Sequence, residues 1–223
     1  MNIDEIKRNP GEHARLTYRL RNANVYVSSV GFHFIDYLDP VEGIAPEIDA
    51  SQLTETESSY IESQLQANLN KFRNQADILA KYLPLSHARI LDIGCGGGLF
   101  LSLLKQEGAR VTGIELSDSR AHYAKKKPKL ENYKIPIESD FWQRDRAESF
   151  DAVTLWDVIE HVNYPYRTLQ CAVNVLKQGG YLMIDTPCRD SFYHRFGEFT
   201  YRMTGGWAPP FLNAIYSAHL FGH

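Results

Sequence analysis

The pattern with the most chemical content is Ile90-Leu91-Asp92-Ile93-Gly94-Cys95-Gly96-Gly97-Gly98. An apolar run that ends in a glycine cluster reads as a buried strand turning sharply into a helix. Glycine lets the backbone take left-handed angles and pass close to a ligand. The amides of such a turn, with the helix N-terminus behind them, can face a polar ligand group. The same pattern also suits an ordinary tight strand-to-helix turn. Glu115, at the end of the next apolar stretch, adds a second group. An acid there can accept hydrogen bonds from both hydroxyls of a ribose, although an exposed strand end would also place one there. Leu99 stands where a dinucleotide fingerprint takes its third glycine, and no clamp for a diphosphate is visible. The ligand therefore reads as a nucleoside without a diphosphate.

Alternating strands and helices must position these groups. Ile61, Leu65, Leu69, Phe72, Ala76, Leu79 and Leu83 recur three or four apart and predict one long helix closed by Pro84. Strands are predicted at Arg89–Ile93, Arg110–Glu115, Tyr133–Ile137, Phe150–Leu155 and Tyr181–Asp185. Pro136 removes a ladder donor and so predicts a sheet edge for the third strand. Helices are expected after Gly98, from Ser117 or Asp118, and over Leu169–Leu176 before Gly179-Gly180. The fold class expected is α/β, a doubly wound and mostly parallel Rossmann-like sheet. Residues 1–55 read as an N-terminal arm with a strand-like stretch at Tyr26–Ile35 and breaks at Asp39-Pro40 and Ala45-Pro46. Residues 56–223 read as the ligand-binding domain.

Composition narrows the classes. The 223 residues carry a formal net charge of −3, with 43% hydrophobic and 23% charged residues. No bulk charge draws the chain to nucleic acid, and no apolar run approaches a membrane span. The cationic run Lys125-Lys126-Lys127 with Lys129 reads as a solvated helix end. Cys95, Cys171 and Cys188 form no C-x-x-C pair, so neither a zinc site nor a disulfide framework is expected. The first residues lack a signal-peptide apolar core, and the expected location is cytoplasmic.

Five motifs in order carry a resemblance to the class I S-adenosylmethionine-dependent methyltransferases, over roughly residues 56–188. Ile90–Gly98 resembles their first motif, and Val111–Ser117 their second-strand motif. Glu138-Ser139-Asp140-Phe141 is similar to the third motif and Phe150–Val162 to the fourth. Leu176-Lys177-Gln178-Gly179-Gly180-Tyr181 resembles the turn before strand five. The resemblance implies S-adenosylmethionine as cofactor. Asp92, Gly94 and Gly96 would then shape the pocket for its methionine part, with Cys95 as a small loop residue rather than a nucleophile. Glu115 would hold the ribose and Leu116 would pack on the adenine. Asp140 would accept from the adenine amino group beside Phe141, and Trp156 would lie near the methionine end. Glu160-His161 falls where relatives place the donor methyl. His161 is thus the candidate catalytic base, able to take an acceptor's proton near neutral pH; the alternative is a structural helix-start residue, since the pair recurs across family members with different substrates.

The chain departs from the family in two places. Relatives usually finish with a sixth and an antiparallel seventh strand, but the residues after Asp185 read as aromatic helices and turns from Phe192 to Phe221. These aromatics read either as packing over the sheet edge or as a lid over an apolar acceptor. Quinone and natural-product methylase relatives often carry an N-terminal zinc ribbon; Val27-Ser28-Ser29-Val30-Gly31 occupies that place without its cysteines. No Asn-Pro-Pro-Tyr follows strand four, which speaks against an amino acceptor on nucleic acid. The function expected is methyl transfer to a small-molecule acceptor, with a hydroxyl favoured. The competing expectation is a non-catalytic binding or scaffold protein that keeps the cofactor loop.

Overall fold

A computed structural model describes residues 14–21, 23–28, 33–35, 54–125, 130–188, 190–207 and 210–217. The breaks at Asp39-Pro40 and Ala45-Pro46, Ser29-Val30-Gly31 of the zinc-ribbon-like stretch, most of the lysine run and the last six residues lie outside them. The described parts of residues 42–158 and 168–185 form one compact unit. Those of residues 1–41, 159–167 and 186–223 form another.

The larger unit begins with a helix set by local chemistry. Thr54 caps α1 (Glu55–Ala67) in a reciprocal box: its hydroxyl accepts from the Glu57 amide at 3.2 Å, and the Glu57 carboxylate accepts from the Thr54 amide at 3.0 Å. The single long helix expected through Leu83 is two helices, α1 and α2 (Leu69–Tyr82), parted at Asn68. At Asn68 both the backbone amide, at 3.1 Å, and the side-chain amide, at 2.9 Å, donate to Gln64 O, and the helix breaks there although the apolar stripe continues.

The rest of this unit winds a sheet. Its elements are β4 (Arg89–Ile93), α3 (Leu99–Gln106), β5 (Arg110–Ile114), α4 (Asp118–Lys125), β6 (Glu131–Tyr133), α5 (Asp140–Gln143), β7 (Phe150–Trp156), the part of α6 (Pro165–Asn174) from Thr168 onward, and β8 (Leu176–Asp185). The five strands are all parallel, in the order β6-β5-β4-β7-β8. The expected α/β sheet is therefore present. The third strand does lie at an edge, but it ends at Tyr133 and leaves Pro136 beyond it. The fifth starts early, at Leu176, so Gly179-Gly180 lies inside the strand rather than ending a helix. Ile90, Leu79, Phe100, Leu101 and Leu104 close the core between α2, α3 and the sheet.

The smaller unit carries an antiparallel sheet of β1 (Ala14–Arg19), β2 (Asn24–Ser28) and β3 (His33–Ile35), in that order. It also holds α7 (Phe192–Met203) and α8 (Pro210–Ser217). Tyr18, Val25, Leu212 and Tyr216 form its core. The Tyr18 hydroxyl donates to Glu198, and His194 Nε2 lies 3.1 Å from the Tyr216 hydroxyl. The aromatic tail is thus divided. His194 and Gly197 of α7 are buried, while Phe192, Tyr193, Phe199 and Met203 are exposed. Among the described residues no helix is long and apolar enough to cross a membrane.

One glycine inside the sheet shows how closely β5 is packed. A methyl group on Gly113 would lie 2.5 Å from Cys95 Sγ and 2.9 Å from Leu101 Cδ1. Gly113→Ala is expected to destabilise the fold by about 1–3 kcal/mol through overpacking. Urea denaturation should show a lower midpoint at an unchanged slope.

Candidate functional site

The carboxyl ends of β4, β5 and β7 bring the signature residues together, as parallel sheets with crossover helices do. Gly94, Gly96 and Gly98 have φ of 75°, 54° and 74°, the left-handed angles that the turn out of β4 requires. The loop is pinned rather than open. The Gly94 and Cys95 amides both donate to Ile114 O, at 2.7 and 3.0 Å, and the Gly98 amide donates to Cys95 O at 2.9 Å. The Gly96 amide donates to Glu115 Oε2 at 2.7 Å. With four loop amides already engaged, the loop offers little of the amide nest that a diphosphate needs. Ile61 and Leu65 of α1 and Tyr123 of α4 crowd the remaining space over Gly97.

Glu115 follows β5 directly and is 8% exposed. Its other oxygen accepts from the Ser117 amide at 2.8 Å. Burial pushes its carboxyl upward, against the lowering effect of the Ser117 and Gly96 amides. Each oxygen keeps a further lone pair. The group can therefore accept two ribose hydroxyls while keeping its own supports. Leu116 beside it is 45% exposed, an apolar surface next to a polar acceptor. An adenosine would be met by this combination, so the residues present fit the nucleoside part of S-adenosylmethionine.

Asp92 is buried in β4, and the Thr154 hydroxyl of β7 donates to it at 2.7 Å. Burial pushes its carboxyl up to about 7; the Thr154 hydrogen bond works the other way, and the nearby Glu115 charge adds to the rise. Cys95 is buried too. Burial and the charges of Asp92 and Glu115 hold its thiol well above its ordinary value, which disfavours the reactive thiolate. Its Sγ lies 3.5 Å from Asn132 Oδ1.

The remaining candidates are placed less uniformly. Asp140 opens α5, exposed and 3.4 Å from Arg144. Phe141 belongs to an aromatic cluster with Tyr133 and Trp142, and the Arg146 guanidinium lies 4.9 Å from its ring. Trp156 ends β7 with its indole edge-on to Phe100 at 5.3 Å, and its Nε1 is buried without a hydrogen-bond partner among the described residues. His161 lies in the turn before α6 and belongs to the smaller unit, whereas the other candidates belong to the larger. Sequence reasoning missed Thr154, Asn132 and Val158. Thr154 had a signal: it is the hydroxyl in an otherwise apolar strand core, in register with Asp92.

The raised Asp92 pKa has a sign. Between its ordinary value of 3.8 and about 7, the native state holds a proton that the unfolded chain has released. The stability this provides is fully present below the unfolded value and is lost as pH rises through about 7. Asp92→Asn should remove that loss. Urea melts between pH 4 and pH 8 should show the native chain losing up to about 4 kcal/mol more than the variant.

A family model described as a methyltransferase domain matches residues 60–220. The chain is 36% identical over 115 residues to a ubiquinone biosynthesis O-methyltransferase of Xylella fastidiosa, covering 49% of this chain and 46% of that protein. It is 33% identical over 111 residues to a protein of the same name from Nitrosomonas europaea, covering 48% and 46%. The chain thus spans about half the length of the curated relatives it matches. Among solved structures, a SAM-dependent methyltransferase of Thermotoga maritima, a possible histamine N-methyltransferase, superposes with a TM-score of 0.51 at 26% identity over 70% of each chain. With the family model covering most of its length, the chain belongs to the methyltransferase-domain family.

Proposed function

We propose that this protein binds S-adenosylmethionine and transfers its methyl group to a small-molecule acceptor, with a hydroxyl as the receiving group. The observation that carries the reading is Glu115: a buried carboxylate tied to the glycine loop, with lone pairs to spare and exposed Leu116 beside it. The curated relatives named as O-methyltransferases support oxygen as the acceptor atom. A small-molecule acceptor agrees with the chain's lack of net positive charge.

When bound, the cofactor supplies an electrophilic methyl on a sulfonium. The protein's part is to hold and orient. Glu115 fixes the ribose, Leu116 and Phe141 bracket the adenine, and Asp140 accepts from its amino group. Asp92 and the glycine loop shape the space for the methionine end, with Trp156 at its border. Holding donor and acceptor in line removes orientational freedom that a free reaction would have to lose at the transition state. His161 takes the acceptor's proton in this reading, an assignment supported by the resemblance in the Phe150–Val162 segment.

Calorimetry with S-adenosylhomocysteine tests the binding half. Glu115→Ala should weaken binding at least about tenfold, since about 1.4 kcal/mol is one decade and each hydrogen bond to a charged acceptor is worth more than that. An unchanged dissociation constant would refute the ribose assignment. Mass-spectrometric detection of a methylated phenol or catechol tests the transfer half. His161→Ala should lower kcat by about 10²–10⁴ if it is the base and leave it nearly unchanged if it is structural. Binding without turnover on any hydroxyl, amine or carbon acceptor would favour a non-catalytic role.

A further inference from the structure

The chain leaving β7 turns in an unusual way. Asp157 has a φ of 53°, a left-handed conformation that residues with a side chain rarely adopt, although aspartate tolerates it better than most. Its amide donates to Asp185 O at 2.9 Å. The next residue, Val158, fills the space beside Gly94 so fully that a methyl group on Gly94 would collide with Val158 Cγ2. The left-handed bend therefore sets the wall against which the glycine loop begins.

One cation faces this bend. Lys71, on α2, makes an ion pair with the Asp157 carboxylate and lies 3.3 Å from Asp185 Oδ2. One helical turn along, the buried Gln75 donates to the same Asp185 oxygen at 3.2 Å. Burial pulls the Lys71 pKa down, but Asp157 and Asp185 more than offset it, so the ammonium stays charged above the usual lysine range. Isolated exposed ion pairs are worth little. This one differs because two carboxylates face a single ammonium, and because one of them hangs on a strained backbone turn. A small pairing energy can then decide between two backbone conformations.

We propose that Lys71 is a positioning residue for the glycine loop: by holding Asp157 it keeps the exit of β7 in the left-handed bend that sets Val158 against Gly94. The ligand readout rests on the proposed cofactor; the exchange readout does not. Lys71→Met should speed amide exchange across Gly94–Gly98 in the ligand-free protein about two- to fivefold, with the melting temperature nearly unchanged, in keeping with a surface-pair energy of up to about 1 kcal/mol. It should weaken S-adenosylhomocysteine binding by a similar factor, and Lys71→Arg should restore both. Asp157→Gly adopts the bend without a tether, so it should retain slow exchange, and Lys71→Met should add nothing in its background. Asp157→Ala lacks both tether and freedom and should match Lys71→Met. If Asp157→Ala does not fold, the Lys71→Met and Lys71→Arg pair decides. Native-like loop exchange in Lys71→Met, or equal behaviour of the Gly and Ala variants, overturns the proposal. Failure of the native chain to bind S-adenosylhomocysteine counts against the cofactor assignment and leaves the exchange test intact.

Discussion

The Glu115 carboxylate is the constraint on which the ligand end of the sheet depends. One oxygen holds the amide of Gly96 and the other the amide of Ser117. The carboxylate therefore fastens the turn after β4 to the turn after β5. Without it the half-buried Gly96 and Ser117 amides would lose their acceptor. The geometry explains why an acid sits at the end of an apolar strand. It serves the fold and leaves acceptor capacity over, because a carboxylate can accept several hydrogen bonds where an amide or hydroxyl accepts fewer.

The second layer is the burial of Asp92 between β5 and β7. Its partner is one hydroxyl from the neighbouring strand, Thr154, and another carboxylate stands nearby. A hydrophobic residue would pack as well and avoid the desolvation of a charge. Groups that strain stability in this way gather where a protein binds or reacts. The buried pair of acids at the strand ends is on that ground a candidate site. The surrounding apolar side chains, Ile90, Leu91 and Leu155 among them, are fully buried and carry the packing.

Much of this was legible in the sequence because acids and glycines inside apolar strands are anomalies that need a reason. The glycine cluster and Glu115 stood out on that ground, Asp92 was named only through the motif resemblance, and the alternation of strands and helices around them predicted the sheet. The misses have physical causes. A helix stripe continues through Asn68, so periodicity alone cannot register a side chain that caps the ladder. Gly179-Gly180 signals a turn locally, yet pairing with β7 draws the segment into β8. Lys71 and Asp157 are 86 residues apart and each looks like an ordinary surface charge; only the fold brings them into register. Phe141 was named for its motif, while the stack it makes with Tyr133, Trp142 and Arg146 depends on β6 and α5 meeting.

A carboxyl that burial pushes up to about 7 makes the charge near the end of β4 a property of the medium. Asp92 holds its proton in a mildly acidic solution and gives it up in a mildly alkaline one. A cationic ligand bound beside it would favour the ionised form and expel the proton, whereas a neutral analogue of the same shape would not. Association with the two ligands would then carry different proton stoichiometries, and the heat measured would include the ionisation of whichever buffer receives the proton. Affinities for a sulfonium and for its thioether product would converge at one pH and diverge at another, without any change in the contacts each makes.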